Sequence, residues 1–501
     1  MEVKFQGTVT DAGQYAASMT ITYDKEIVSS SVNKDTYEVF MTSVCDYGEM
    51  KGMAYPYYDA QKPLEIVKTE VKGNIVKVYF RQDQACTSTW LKEGRNYPAV
   101  LHFEISQKNP LTVITMTPDQ RKLESQETYE YTCSVSSWKD LEDEEIAQFE
   151  AVNVENGISY QLHKGSVKKL IVWLHGNGEG DFEEDGKIKC TGNNISQILC
   201  NRGGTAWLSK EAVEAFGDAY IAAFQAPSVW YYAVKNDHAL LKLLKLEIDE
   251  IIETYDINQE DVYLAGCSAG GYMCVRMIID YPGLFRSAMI TCPALDIANL
   301  RSGTDYAVPS DEELSSIRQS VTRIWLVQSR TDSVVDPQKC AVRIWNILSK
   351  DRTVTWKDYV QKDGISSGFT TYETEDDKYK MTLYDTVDIH DVAGPLGDSR
   401  KGGQIVCAED YDCDGIYEPV KYNDHWSWIF TLRNQPQSED GRHLFDWAAG
   451  RNILTETSNE EENTENREPS AKDTLILVLA AAAGFALGFF SASVFVKRKS
   501  K

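Results

Sequence analysis

A serine hydroxyl is a poor nucleophile at neutral pH. It becomes a good one beside a histidine base that a carboxylate orients, with hydrogen-bond donors aimed at the developing oxyanion. Gly266-Cys267-Ser268-Ala269-Gly270 fits G-x-S-x-G, the pattern that seats a serine on a sharp strand-to-helix turn with its hydroxyl presented. In so tight a turn, side chains two positions either side of the serine would collide with neighbouring backbone, so small residues belong there. A chain of 501 residues should contain roughly 0.2 such matches by chance, so the flanking sequence has to discriminate.

The partners such a serine needs are present, in the order serine, acid, histidine. Of seven histidines only His390, His425 and His443 follow Ser268. His425 stands in the polar loop Asn423-Asp424-His425, just before an apolar helical segment, and is the candidate base. His390, between Ile389 and Asp391, competes with it, and His443, beside Arg442 at the start of the last helix, reads as a surface residue. For the acid, Asp332 follows the apolar run 323–328, whereas Asp336, just before Pro337, suits the N-cap of the next helix. Oxyanion donors are expected from the N–H of Ala269 and from the loop His175-Gly176-Asn177-Gly178-Glu179-Gly180, in particular Asn177 and Gly178. That loop lacks G-x-x-x-x-G-K-[ST], which argues against a nucleotide phosphate site. Trp230 and Tyr231, with Tyr232 and with Trp426 next to the histidine, could wall a pocket for a phenolic or sugar-linked acyl group; core packing is the competing role.

The elements that must position these residues alternate. Val262 to Ala265 is a short apolar strand leading into the serine, and Tyr272 to Ile279 is an apolar helix ended by Tyr281-Pro282-Gly283. Strands are expected at 169–174, 219–224, 287–291, 323–328, 353–359 and 381–387, with helices at 238–254 and 338–348. Such alternation implies a mainly parallel sheet covered on both faces, with chemistry at the carboxyl ends of its strands. Residues 1–150 read differently, as seven short strands rich in β-branched and aromatic residues and separated by turn formers; an all-β sandwich is expected, with His102 packed inside a strand.

Trp173 to Gly180, Gln225-Ala226-Pro227 followed by Trp230, the elbow at Ser268, Ser329-Arg330-Thr331-Asp332 and His425-Trp426-Ser427-Trp428 together resemble the polyhydroxybutyrate-depolymerase-like and feruloyl-esterase-like branch of the α/β-hydrolases. The resemblance covers roughly residues 157–450. It implies an α/β-hydrolase domain at 151–450 in which Ser268 is nucleophile, Asp332 acid and His425 base, and an Ig-like sandwich before it. It implies a serine esterase that needs no cofactor and acts on small-molecule or polysaccharide-linked esters. A prolyl-oligopeptidase-type peptidase, or a non-catalytic surface binding protein on the same scaffold, are the alternatives. Residues 360–424 are longer and more charged than a compact family loop, which leaves specificity open.

Within that stretch Asp410, Asp412 and Asp414, followed by Gly415, open like a calcium loop, but Lys421 stands where the twelfth-position glutamate belongs. A structural calcium clip and a plain acidic turn both fit. The net charge of −25 argues against a nucleic-acid partner. Eleven cysteines form no C-x-x-C pair; Cys190 with Cys200, and Cys407 with Cys413, are spaced for local disulfides, and buried free thiols fit equally well.

After an acidic, polar spacer at 451–473, residues 474–496 run without a charge and are long enough to cross a bilayer core of ~30 Å as one transmembrane helix. The basic tail 497–501 would then be cytoplasmic and the catalytic domain extracellular. It also fits a K-x-K-x-x retrieval pattern. Residues 1–7 lack an apolar signal segment, so the expectation is that the sequence begins after such a signal or at a misplaced start.

Overall fold

Val262–Cys267 is buried at every position, as befits a strand covered on both faces. It lies at the centre of a nine-stranded sheet made of Phe149–Val152 (β1), Tyr160–His163 (β2), Val167–Leu174 (β3), Ala219–Phe224 (β4), Val262–Cys267 (β5), Ser287–Thr291 (β6), Arg323–Ser329 (β7), Phe369–Glu373 (β8) and Tyr379–Tyr384 (β9). The order is β1-β2-β4-β3-β5-β6-β7-β9-β8. From β4 through β9 the neighbours run parallel. The two edges are finished by antiparallel pairs, β1–β2–β4 on one side and β8–β9 on the other. The computed structural model describes residues 2–451 apart from 46–50, 54–61, 83–88, 93–94, 117–120, 126–129, 136–140, 181, 185–186, 190–193, 355–367, 386, 390–401 and 413.

The mainly parallel sheet is the one the alternation predicts. β1, β2 and β8 are additions that the alternation did not predict, runs of only four, four and five residues. The strand expected at 353–359 falls largely on residues outside those described. The helix Ala239–Tyr255 buries Leu240, Leu241, Leu244, Ile248, Ile251 and Ile252, which is one face at helical spacing. Ala269–Asp280 is buried from Ala269 through Ile278, so its apolar character reflects a helix wedged between layers rather than a surface one.

Residues before the sheet form a β-rich region. One four-stranded antiparallel sheet has the order Glu2–Thr10, Gly13–Thr22, Ile75–Phe80, Ile66–Lys72. A second centres on Arg95–Gln107, paired with Tyr37–Cys45, Glu130–Val135 and the short Thr89–Lys92. Their faces meet where the rings of Phe5 and Phe103 stack with centroids 3.7 Å apart. Alternation in Arg95–Gln107 turns Leu101, Phe103 and Ile105 inward and His102 outward; His102 is therefore an exposed residue and not the packed one expected.

The described residues up to Gly450 form one compact unit. Phe5, Val39 and Phe103 of the β-rich region belong to the same continuous core as Trp173, Trp207 and Phe445. The acidic stretch 141–145, between the β-rich region and the large sheet, is bound in as well. The Asp143 carboxylate accepts from Gln14 Nε2 at 2.8 Å and from the N–H groups of Glu145 and Ile146.

The charged stretch ahead of His425 contains a three-stranded antiparallel sheet, Val387–Ile389, Gly402–Glu409 and Glu418–Asn423. Cys200, Cys267, Cys274, Cys292, Cys340 and Cys407 are buried free thiols, so neither local disulfide forms through Cys200 or Cys407. Among the described residues no helix is long and apolar enough to cross a membrane. The spacer, the span expected at 474–496 and the basic tail lie past Arg451, outside the described residues.

Candidate active site

Ser268 caps the helix Ala269–Asp280 with φ 52° and ψ −114°, a backbone conformation that costs a non-glycine residue about 1–3 kcal/mol and persists only where the surroundings enforce it. Here they do. Its N–H donates to the Thr291 carbonyl at 3.0 Å, and its own carbonyl accepts from Tyr272 at 2.9 Å and Ala294 at 3.0 Å. A Cβ on Gly270 would lie 2.0 Å from the Leu174 carbonyl oxygen, and one on Gly266 would lie 2.8 Å from Cys274 Sγ. The glycines two positions either side of the serine thus let the helix start press against the ends of β3 and β5.

Asp332, in the loop after β7, and His425, just past the strand Glu418–Asn423, complete the arrangement. His425 Nε2 lies 3.1 Å from Ser268 Oγ, and Nδ1 lies 2.9 Å from Asp332 Oδ2 and 3.1 Å from Oδ1. A ring nitrogen facing a carboxylate carries the proton, so Nδ1–H donates and Nε2 is left to accept from the serine hydroxyl. All three residues are between 5% and 8% exposed, which keeps these hydrogen bonds in low dielectric.

Further groups hold the acid and the base. Asp332 Oδ1 accepts from the N–H groups of Val334 and Val335, each at 2.9 Å, and Oδ2 from Gln328 Nε2 at 3.3 Å. The Asn423 side-chain oxygen accepts from the His425 N–H at 2.9 Å. Asp424, fully buried, accepts from Ser333 Oγ at 2.9 Å and so ties the histidine loop to the aspartate loop. The Trp428 ring stands at 88° to the imidazole, 5.4 Å away. Cys292 Sγ lies within 4.8 Å of the Asp332 and His425 ligand atoms; burial, reinforced by the Asp332 charge, pushes this thiol well above its usual range, so it stays protonated. None of these supporting roles was foreseen, although Asp424 stood next to His425 in the motif.

On the other side of the serine, the loop from His175 to Gly180 is fixed from several directions. Ala226 N–H donates to His175 Nε2 at 2.9 Å, so His175 Nδ1 carries the proton and donates to the Gly176 carbonyl at 2.6 Å. Gln225 Nε2 donates to the Glu179 carbonyl at 2.7 Å. Asn177 and Gly178 lie in this loop, and Ala269, as the first residue of its helix, has an N–H with no intrahelical acceptor.

Trp230 and Tyr231 do not wall a pocket. They are 1% and 0% exposed, and Trp230 Nε1 donates to the His175 carbonyl at 3.1 Å, so Trp230 is a strut beneath the loop. Burial also pushes the Tyr231 phenol far up. Trp426 keeps partial exposure beside His425, stacked on Tyr422 with centroids 5.6 Å apart. His443 is half-buried with Nδ1 2.8 Å from the Asn434 carbonyl, and His390 lies outside the described residues. Asp336 accepts from Gln338 N–H at 3.0 Å in the turn ahead of the next helix, which starts at Ala341 with Cys340 as its N-cap, so Asp336 is not the helix cap expected of it.

Asp410, Asp412 and Asp414 do converge, with one ligand atom from each within 4.8 Å of the others. They close the hairpin between Gly402–Glu409 and Glu418–Asn423. Both Asp410 oxygens already accept backbone N–H groups, from Asp414 at 3.1 Å and Gly415 at 3.0 Å, and Asp414 accepts from Ile416 at 2.7 Å, as in an acidic turn.

A parallel sheet with a serine elbow, a histidine and an aspartate at its carboxyl edge defines the protein's class: it is a serine hydrolase with the α/β-hydrolase fold, and enzymes of this kind need no cofactor. Residues 246–362 match the prolyl oligopeptidase family, a stretch that includes both Ser268 and Asp332. The crystal structure of a thermostable esterase superposes with a TM-score of 0.58 at 17% identity, covering 86% of this chain and 96% of the esterase. An acetyl xylan esterase from Aspergillus awamori (TM-score 0.32, 13% identity) covers 48% of this chain and 93% of its own. A puromycin-hydrolyzing peptidase of Mycobacterium tuberculosis (TM-score 0.30, 11% identity) covers 51% of this chain and 41% of its own. No curated protein matches the chain in sequence.

Proposed function

We propose that the protein is a serine esterase hydrolysing carboxylic esters, with acyl or feruloyl groups on carbohydrate as the substrate class. The observation that carries this reading is the pair of contacts made by His425, to Ser268 Oγ at 3.1 Å and to Asp332 at 2.9 Å. Ser268 Oγ attacks the ester carbonyl while His425 Nε2 takes its proton, and Asp332 holds Nδ1–H and stabilises the imidazolium. The oxyanion is met by the N–H of Ala269 and by the loop carrying Asn177 and Gly178. Collapse expels the alcohol with a proton from His425, and water, deprotonated by the same nitrogen, releases the acid. Trp426, partly exposed beside the base, is the contact for the leaving group.

The match to the prolyl oligopeptidase family favours a second reading, a peptidase working through the same residues. Two assays separate the possibilities. A fluorophosphonate probe should label the wild type and not Ser268→Ala; an unlabelled wild type would end both readings. Hydrolysis of p-nitrophenyl and feruloyl esters, set against prolyl anilides, then decides between them. A faster anilide reaction would replace esterase by peptidase.

We further infer that the β-rich region is the Ig-like sandwich, and that residues 474–496 hold the enzyme in a membrane with residues 497–501 in the cytoplasm and the catalytic part outside. Recovery of the full chain in an alkaline-carbonate supernatant would refute the anchor.

A further inference from the structure

The oxyanion loop is gripped from a direction the hydrolase sheet does not supply. Asn96 belongs to the β-rich region, in the strand Arg95–Gln107, opposite Leu91 of the neighbouring short strand. Its main-chain N–H donates to the Gly178 carbonyl at 2.9 Å, and its side-chain Nδ2 donates to Glu179 Oε1 at 2.9 Å. Glu179 is a buried carboxylate, 7% exposed, and its other oxygen lies 3.2 Å from where a Cβ on Gly176 would stand, so it rests against the main chain of the loop. One residue, 83 positions away in sequence, therefore pins one loop carbonyl directly and the loop's buried acid through its amide.

The chemistry explains why this matters. Oxyanion donors stabilise the transition state because they are already aimed before charge develops, and a loop free to turn loses that advantage. Glycines at 176, 178 and 180 leave the loop's backbone torsions permissive, so contacts from outside it, those of Gln225, Trp230 and Asn96, have to hold it. The peptide plane held at the Gly178 carbonyl carries the Glu179 N–H, and fixing it restrains the adjoining plane, which carries the Gly178 N–H. A buried carboxylate left without its amide donor would draw in water or shift, taking the loop with it.

We propose that Asn96 is a positioning residue for catalysis, through which the β-rich region sets the geometry of the oxyanion loop. The proposal rests on the serine-hydrolase reading of Ser268. Asn96→Ala removes only the side-chain bond and leaves the main-chain bond to Gly178. In the full chain, with p-nitrophenyl acetate, it lowers kcat about tenfold, with KM within twofold of wild type and Tm nearly unchanged. Asn96→Asp places two carboxylates together and lowers kcat further; its activity relative to wild type rises as pH falls, because a proton shared between them restores a donor. The double variant Asn96→Asp with Glu179→Gln reverses donor and acceptor and recovers most of kcat.

Three results would overturn the proposal. They are a kcat for Asn96→Ala within twofold of wild type, a loss that tracks Tm alone, and a double variant no better than Asn96→Asp. Fluorophosphonate labelling keeps these apart from failure of the underlying reading. If the wild type is labelled and Asn96→Ala is fully active, only the positioning role falls; if the wild type is not labelled, both fall.

Discussion

The serine and its base are held in place by different means. Ser268 sits between β5 and the helix Ala269–Asp280, where main chain meets main chain and glycines are required by contact; its strained φ of 52° is imposed by the hydrogen bond its N–H donates to Thr291 and by those its carbonyl accepts from Tyr272 and Ala294. His425 follows a hairpin, Gly402–Glu409 with Glu418–Asn423, that is no part of the large sheet, and side chains hold it: Asn423, Asp424, Asp332 and the Trp428 ring. The first arrangement cannot give without the fold giving, whereas the second can loosen while the fold survives. The nucleophile's geometry should therefore fail together with stability, and the base's geometry should fail alone.

Gly270→Ala tests the first half and should have the largest effect. The added carbon would meet the Leu174 carbonyl at 2.0 Å, so main chain has to move, at a cost of about 3 kcal/mol or more in urea unfolding. A variant as stable as wild type would show the elbow to be looser than its contacts imply. Asp424→Ala tests the second half. Losing the acceptor for Ser333 should reduce kcat about tenfold while costing about 1–3 kcal/mol, with the change in kcat larger than any change in KM. If stability fell as far as for Gly270→Ala, the contrast between the two regions would not hold.

The smallest effect concerns the far end of the hairpin. Glu409 bonds Arg433, which also holds Asp11 with Nε to Oδ2 at 2.8 Å. Burial, reinforced by the Asp11 charge, pushes the Glu409 carboxyl up to about 7 despite Arg433. A carboxyl whose affinity for a proton rises on folding stabilises the fold fully below its ordinary value, near 4.5, and that share is lost as pH rises through about 7. Tm should therefore decline by roughly 2–4 °C between pH 5 and pH 8, and Glu409→Gln, neutral throughout, should flatten the decline. A parallel decline in both proteins would assign the effect elsewhere.

What the sequence revealed follows the same division. Ser268 was legible because the elbow's constraints are local: an apolar strand, two glycines and an apolar helix lie within about twenty residues. Asp332 and His425 were legible because each stands at a boundary between an apolar run and a polar loop, and the order of the three limits the choices. Asn96 and Asp424 could not be read that way, since their partners, Glu179 and Ser333, are distant in the chain and no periodicity links them.

Trp230 and Tyr231 were misplaced because an aromatic cluster looks the same whether it lines a pocket or supports a loop. Only burial tells the two apart. His102 was misplaced by parity: an apolar strand sends alternate residues outward, and the sequence shows the strand before it shows the face. The three-stranded sheet before His425 does not show in the sequence because Val387–Ile389 is only three residues, Gly402–Glu409 opens on two glycines and Glu418–Asn423 holds a proline and two charges, so neither of the usual patterns is present.

Six thiols lie buried and unlinked in the catalytic part, and two of them, Cys267 and Cys292, border the serine. None of these six sulfurs crosslinks the hydrolase sheet, so its assembly needs no oxidant and no shuffling of sulfur–sulfur bonds through these positions. Refolding under strong reductant should return an enzyme of undiminished turnover. A thiol reagent should find these six groups only after the chain has been opened, and the rate at which they become reactive would then time the opening of the catalytic core.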